Sequence, residues 1–201
     1  MEYIKIRPAV PEDAGEILRI YAHYVRETTI TFEYDVPSEE EFRERIRTIS
    51  AEYPYLVCLV DGRIAAYAYA HRHMERAAYQ WNAELSVYVD KALVHMGIGR
   101  ALYQAVLEIL ALQNIQTVYG IVTSPNPGSQ HLHEAMGFTR AVTFKNMGYK
   151  FGRWLDVAWY EKALGDHNAD MKPFLPVHRA DGQKIGDILA VCEQKIAAGR
   201  P

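Results

Sequence analysis

The chain has 201 residues, a formal net charge of −3 and 49% apolar residues. That length suits one domain with room for a tail, and the apolar share is enough for a core. The slight negative charge speaks against nucleic acid or an anionic membrane surface as partner. There is no signal-peptide pattern and no apolar run of about 18 residues, so a soluble, cytoplasmic protein without a membrane span is expected. Cys58 and Cys192 form no metal-ligand spacing and suit a reducing compartment.

Residues 3–7 alternate and read as a first strand. Pro11-Glu12-Asp13 opens a helix with Ile17, Leu18, Tyr21 and Val25 at helical spacing. Residues 28–35 form a loop carrying Ile30, Phe32 and Tyr34. Ser38-x-x-Glu41 is a capping box, and it starts a second helix with Phe42, Ile46 and Ile49 inward. Residues 55–60 and 63–70 are strands joined by Asp61-Gly62, a strong hairpin signal. Residues 81–89 make a fourth strand. A helix follows from about Gly99, with Leu102, Val106, Ile109 and Leu110 on one face. Residues 116–123 read as a strand and 129–136 as a short helix ended by Gly137. Residues 138–146 and 154–162 close the pattern as a strand pair. The order predicts a mixed α/β fold with an antiparallel start. From Gly165, Pro173 and Pro176 mark a surface linker, followed by a helix over about 182–197. The division expected is therefore 1–164 for the domain and 165–201 for an extension that packs or is solvated and carries no chemistry.

The stretch Val94-His95-Met96-Gly97-Ile98-Gly99-Arg100 joins the fourth strand to the long helix. Strand, glycine loop and helix start together aim backbone N–H groups at one place, so an anion such as a pyrophosphate belongs there. A Walker A loop would need Gly-Lys-Ser/Thr, which is absent, and a dinucleotide fingerprint would need glycine at Leu102. Glu84 shares a strand face with Ser86 and Tyr88, opposite Ala83, Leu85, Val87 and Val89. A carboxylate inside an apolar strand faces a solvated cleft or is paired. Its strand runs into the anion loop, which makes Glu84 a candidate general base beside the plainer reading of a surface face. His133, one turn into its helix, reads as either a structural or a functional histidine.

These segments resemble the acetyl-CoA motifs of the GNAT superfamily of N-acetyltransferases. The loop matches Gln/Arg-x-x-Gly-x-Gly/Ala with Val94 in place of Gln or Arg. Asn126 through Phe138 resembles Asn-x-x-Ser-x-x-Leu-Tyr/His-x-x-x-Gly-Phe. Three more segments narrow the likeness to the phosphinothricin and methionine sulfoximine acetyltransferase branch: Thr31-Phe32-Glu33, the run from Tyr67 through Tyr79, and Gly148-Tyr149-Lys150-Phe151-Gly152-Arg153-Trp154-Leu155-Asp156. The resemblance covers residues 3 to about 164. It implies the GNAT fold, a mixed central sheet flanked by helices, and transfer of acetyl from acetyl-CoA to the α-amino group of a small amino-acid analogue.

It also implies roles. Glu84 and His133 would be catalytic, His133 facing the thioester. Val87, Tyr88 and Val89 would bind the thioester arm. His95, Met96, Gly97, Ile98, Gly99 and Arg100 would hold the pyrophosphate. Asn126 and Ser129, by residue type a polar loop contact and an N-cap candidate, would also bind the coenzyme. Phe32 and Tyr88 would wall the substrate. Arg76, Arg72 and Lys150 are cations available to a carboxylate, with Arg76 first. No metal is expected, and a homodimer is. Two alternatives stay open: another amine, such as a polyamine or a protein N-terminus, and a non-catalytic acyl-CoA-binding module.

Overall fold

The computed structural model describes residues 3–168 and 170–198; residues 1, 2, 169 and 199–201, which the expected division also spans, lie outside that description. The strands are β1 (Ile4–Pro8), β2 (Tyr55–Val60), β3 (Arg63–Arg72), β4 (Asn82–Val89), β5 (Thr117–Ser124), β6 (Thr139–Lys150) and β7 (Arg153–Ala163). The helices are α1 (Ala14–Glu27), α2 (Glu39–Ser50), α3 (Ile98–Leu112), α4 (Pro127–Ala135) and α5 (Gly182–Ala198). The strands form a sheet in the order β1-β2-β3-β4-β5-β7-β6. Neighbours are antiparallel except β4 and β5, which run parallel. That one parallel pair needs a crossover, and α3 supplies it.

Side-chain alternation splits the core in two. On one face Ala66, Ala68, Ala70, Ala83 and Leu85 pack under α3, whose Leu102, Val106, Ile109 and Leu110 are buried. Small alanines on the strands let the helix approach, and each of its large apolar side chains contributes about 1.5–3 kcal/mol on burial. On the other face Tyr55, Tyr67, Tyr69 and Tyr88 pack under α1 and α2. Their rings stack in a row, with Tyr67 and Tyr88 centroids 5.1 Å apart. The Ser38–Glu41 capping box forms, Glu41 accepting the Ser38 N–H at 2.7 Å.

The structure bears on two expectations. Residues 172–175 run over the domain and are stitched to it. The Trp81 indole donates to Lys172 O, the Asn114 amide to Pro173 O and the Gln113 amide to Leu175 O, each at 2.8 Å. The extension's helix α5 then buries Leu189, Cys192 and Ile196 in the same core as α3, and Glu193 accepts the Ile6 N–H at 2.8 Å. Second, Asn126 and not Ser129 caps α4: its Oδ1 accepts the Ser129 N–H at 3.1 Å. The proline at the first helical position fixes φ and lacks the N–H, so the cap falls one residue before it.

Candidate active site

The parallel ladder is short. Asn82, Ala83 and Glu84 pair with Thr117, Val118 and Tyr119, and pairing stops there. β4 continues to Val89 against β3, and β5 continues to Ser124 against β7. Past Glu84 and Tyr119 the strands part, leaving a wedge whose two inner edges lack a strand partner. Such edges accept an extended ligand through main-chain hydrogen bonds.

Ladder alternation decides which β4 groups face the wedge. The Asp90 N–H donates to Ala65 O at 2.8 Å and the His73 N–H to Asn82 O at 3.5 Å, so even-numbered β4 residues bond toward β3. Leu85, Val87 and Val89 therefore turn their N–H and C=O toward the wedge. The Tyr24 hydroxyl already closes the last of these, donating to Val89 O at 2.6 Å while the Val89 N–H points back at it at 3.3 Å. Of the three strand residues expected to hold the thioester arm, Val87 offers free main-chain groups. Val89 is engaged by Tyr24. Tyr88 is engaged by β3, and its ring packs against Tyr21, Tyr24 and Tyr67 in the aromatic cluster.

The anion loop sits at the mouth of the wedge. Gly97 caps α3 with φ of 77°, a left-handed conformation that favours glycine. His95 is also left-handed, with φ of 66°. No side chain caps this terminus, so the N–H groups of Ile98, Gly99 and Arg100 keep no intrahelical acceptor, the first helical bond running from the Ala101 N–H to Gly97 O. Gly99, by contrast, is not among the positive-φ residues. Its bareness serves packing: a Cβ there would stand 3.2 Å from Val89 Cγ2 and 3.8 Å from Val87 Cγ2. Close approach of helix to strand is what aims the N–H cluster into the wedge. A cavity of about 290 Å³ opens beside it, lined by Gly97, Arg100, Ala101, Gln104 and Lys195. Lys195 comes from the extension, where sequence reasoning expected no chemistry. Met96 packs on the core beneath the loop.

Glu84 stands at the vertex, opposite His71 on β3 and Tyr119 on β5. Its side chain is 21% exposed and half enclosed by two histidines: His71 Nε2 is 3.9 Å from Oε1, and His73 Nδ1 is 3.7 Å from Oε2. Both gaps exceed a hydrogen bond, so the carboxylate oxygens remain free to accept one. Neither histidine was expected. The signal was present, since His71 and His73 alternate with Arg72 and share a strand face.

The structure buries His133. Its ring is 4% exposed, inside the core and not at the wedge surface. Nδ1 donates to Ser129 O at 2.7 Å, so Nε2 accepts from the Tyr103 hydroxyl at 2.8 Å. Burial holds its pKa below the ordinary histidine value. The ring fills the space left by Gly120, where a Cβ would fall 2.0 Å from Nε2. With both nitrogens engaged, His133 positions Tyr103, whose own pKa is pushed up first by burial and then by the Glu84 charge.

The cations separate. Arg72 points to the α3 face, away from Glu84, and pairs with Glu52 at 3.5 Å; it is not placed to meet a substrate at the vertex. Arg76 is exposed on the turn leading into β4 and has no ion-pair partner among the described residues. Lys150 is 2% exposed and donates to Thr31 O at 2.7 Å, with burial lowering its pKa. Phe32 packs edge-on to Gly148, where a Cβ would fall 2.2 Å from its ring. Thr31-Phe32-Glu33 and Gly148-Tyr149-Lys150 thus lock together, with the Tyr34 hydroxyl donating to Tyr149 O at 2.5 Å. Asn126 and Ser129 stand at the β5–α4 junction, held by their own cap.

An unpaired strand edge ending at an open helix terminus suits an extended amide-bearing arm with a phosphate at one end, as in a coenzyme A thioester; a base at the vertex then makes the class an acyltransferase. The acetyltransferase (GNAT) domain profile matches residues 6–159. The phosphinothricin N-acetyltransferase of Streptomyces viridochromogenes is 33% identical over 87% of this chain and 94% of its own length. The L-methionine sulfoximine/L-methionine sulfone acetyltransferase of Salmonella typhimurium is 29% identical over 82% of this chain and 96% of its own. A phosphinothricin acetyltransferase of Sinorhizobium meliloti, crystallised with acetyl-CoA, superposes with a TM-score of 0.80 at 34% identity, covering 85% of this chain and 92% of that one. The chain belongs to the GNAT acetyltransferases and is an N-acetyltransferase with acetyl-CoA as co-substrate.

Proposed function

We propose that the enzyme acetylates the α-amino group of small amino-acid analogues of the phosphinothricin, methionine sulfoximine or methionine sulfone type, with Glu84 as general base. The observation that carries the reading is Glu84 at the point where β4 and β5 part, with free carboxylate oxygens. An ammonium cannot attack a thioester, so a proton must leave it first. Glu84 accepts that proton directly or through one water. The Val87 N–H, free on the wedge edge, stabilises the oxyanion formed by attack. Coenzyme A departs as a thiolate, a fair leaving group, so a buried and neutral His133 need not protonate it. The unpaired Arg76 suits the substrate carboxylate.

The same reading includes a homodimer. β6 is an edge strand, and the β6–β7 hairpin exposes Val142, Phe144, Met147, Tyr149, Phe151 and Trp154, the last at 61%. A contiguous apolar surface on that scale marks an interaction face. Cys58 and Cys192 are buried free thiols, which suits the cytoplasm. Among the described residues no helix is long and apolar enough to cross a membrane.

The test is release of free coenzyme A across a panel of amino-acid analogues, with polyamines and peptide N-termini as competitors, for the wild type and Glu84→Gln. The reading expects the analogues to be turned over best and the variant to lose about 10²–10⁴-fold in kcat with acetyl-CoA affinity kept. Turnover of no amine would instead favour a binding module.

A further inference from the structure

We infer that His73 is a positioning residue for catalysis that receives the amine's proton from Glu84 and passes it to solvent. The inference rests on the reading of Glu84 as the base and adds the proton's route away from it. The His73 side chain is 6% exposed, yet its Nδ1 is buried without a hydrogen-bond partner. An unsatisfied buried ring nitrogen is costly and calls for a partner. The nearest charged atom is Glu84 Oε2 at 3.7 Å. That gap is slightly too long for a hydrogen bond as the two groups stand. A small rotation of either group closes it.

The ring cannot drift elsewhere. It stacks on Tyr119 with centroids 4.4 Å apart and planes 23° apart, and meets Trp159 edge-on at 5.2 Å. Tyr119 is itself the β5 residue paired with Glu84, so the stack ties His73 to the vertex. His71 lies at the other carboxylate oxygen, 3.9 Å away, with a side chain 36% open, and is not on the route through His73. The titratable groups facing the trio are Tyr69 on β3, Tyr103 on α3, Tyr119 on β5 and, behind Tyr119, Glu161 on β7.

The proton balance is complete without another reactant. The substrate ammonium gives one proton to Glu84, and the freed lone pair attacks the thioester carbon. The Glu84 proton moves to Nδ1 of neutral His73, forming an imidazolium beside a restored carboxylate. The carbon–sulfur bond breaks, and the thiolate takes up the second proton lost by nitrogen. The imidazolium then returns its proton to water, so one proton is released per acetyl group transferred.

The test compares His73→Phe, which keeps an aromatic ring against Tyr119 but removes both nitrogens, and His73→Asn, which restores a polar atom. Acetyl-CoA affinity should be unchanged in both. His73→Phe should lower kcat by roughly 10–10²-fold at neutral pH, at or below the low end of what a positioned proton-transfer group contributes. The deficit should shrink as pH rises and the amine loses its proton unaided. In a Glu84→Gln background the same change should add no further loss. A loss equal at all pH values, or one that multiplies with Glu84→Gln, would show a packing role and overturn the inference. A large Glu84→Gln effect with a silent His73→Phe would overturn it alone. A silent Glu84→Gln would remove the reading beneath it as well.

Discussion

Gly99→Val tests the geometry of the anion loop without touching the reacting atoms. A Cβ at this position already stands 3.2 Å from Val89 Cγ2, tighter than ordinary contact, and 3.8 Å from Val87 Cγ2. Two further methyls have no room between α3 and β4. Overpacking of this kind costs about 1–3 kcal/mol, which a buried core of this extent survives. Relief comes by lifting the first turn of α3 off β4. The N–H groups of Ile98, Gly99 and Arg100 then no longer converge on the mouth of the wedge. Hydrogen bonds to a charged group contribute about 1.5–3 kcal/mol each, so losing one such bond lowers affinity by roughly 10–10²-fold. Isothermal calorimetry with acetyl-CoA measures this directly, with Gly99→Ala as the milder step and circular dichroism to confirm the fold. A folded Gly99→Val protein that binds acetyl-CoA as tightly as the wild type would refute the assignment of this loop.

Other changes follow from the same geometry. Arg76→Ala should raise KM for an amino-acid substrate by an amount worth about 2–3 kcal/mol and leave an amine lacking the carboxylate almost unaffected; steady-state kinetics on the two substrates checks this. His133→Ala should lower thermal stability by about 3 kcal/mol or more, because it empties a core site and orphans the buried Tyr103 hydroxyl, and a melting curve reads it. Gly120→Ala should be similarly harmful, since its methyl collides with the His133 ring, and restoring the fold in a Gly120→Ala, His133→Ala double variant would tie the two together. Asp13 is held below its usual pKa by the Arg7 guanidinium and the Val10 N–H, despite burial pushing the other way. Its stabilising contribution is therefore full above about pH 4 and fades as pH falls through its lower folded value, so Asp13→Asn should flatten the acid limb of a stability–pH curve.

Most of the fold was legible because local rules agree with each other here. The Asp61-Gly62 turn adopts the positive φ it promised, at 49° and 81°, and the Ser38–Glu41 box caps α2 as read. The glycine loop between β4 and α3 was legible for the same reason, Gly97 taking up the left-handed angle that ends one element and starts the next. The site's side chains were harder. Strand alternation placed Glu84 on the correct face but could not show that β4 and β5 part at that residue, because splaying depends on non-local pairing. His71 and His73 carried a readable pattern, two histidines spaced by one on a strand. Their meaning needed the register that sets His71 opposite Glu84. The burial of His133 was not legible, because its likeness to a motif position says nothing of the room beside it. Gly120 is the missing half of that signal, thirteen residues upstream on strand β5, and only packing joins it to His133 on α4. Arg72 stands beside His71 and His73, opposite Ala83, and one step along a strand reverses the face.

That reversal also explains how one sheet keeps chemistry apart from stability. Even-numbered β4 residues turn their side chains to the aromatic face and their main-chain groups to β3, whereas odd-numbered residues bury apolar side chains under α3 and turn their main-chain groups to the wedge. The proposed base and the proposed oxyanion donor therefore come from adjacent parities of one strand. Glu84 can change charge without altering the alanine-lined contact with α3, and Val87 can offer its N–H because its side chain is anchored on the other side. The arrangement makes a demand on α3. Its first turn must stay seated on Val87 and Val89, or both the anion site and the wedge edge move together. Helix α5 meets that demand from behind, burying Leu189, Cys192 and Ile196 against the same core and tying its Glu193 to β1. Removal of residues 182–198 should accordingly lower acetyl-CoA affinity and thermal stability in parallel, although only Lys195 of that helix borders the loop. If the truncated enzyme were as stable as the full chain and lost affinity alone, the effect would be that of Lys195 and not of the support behind α3; Lys195→Ala in the full-length chain separates the two directly.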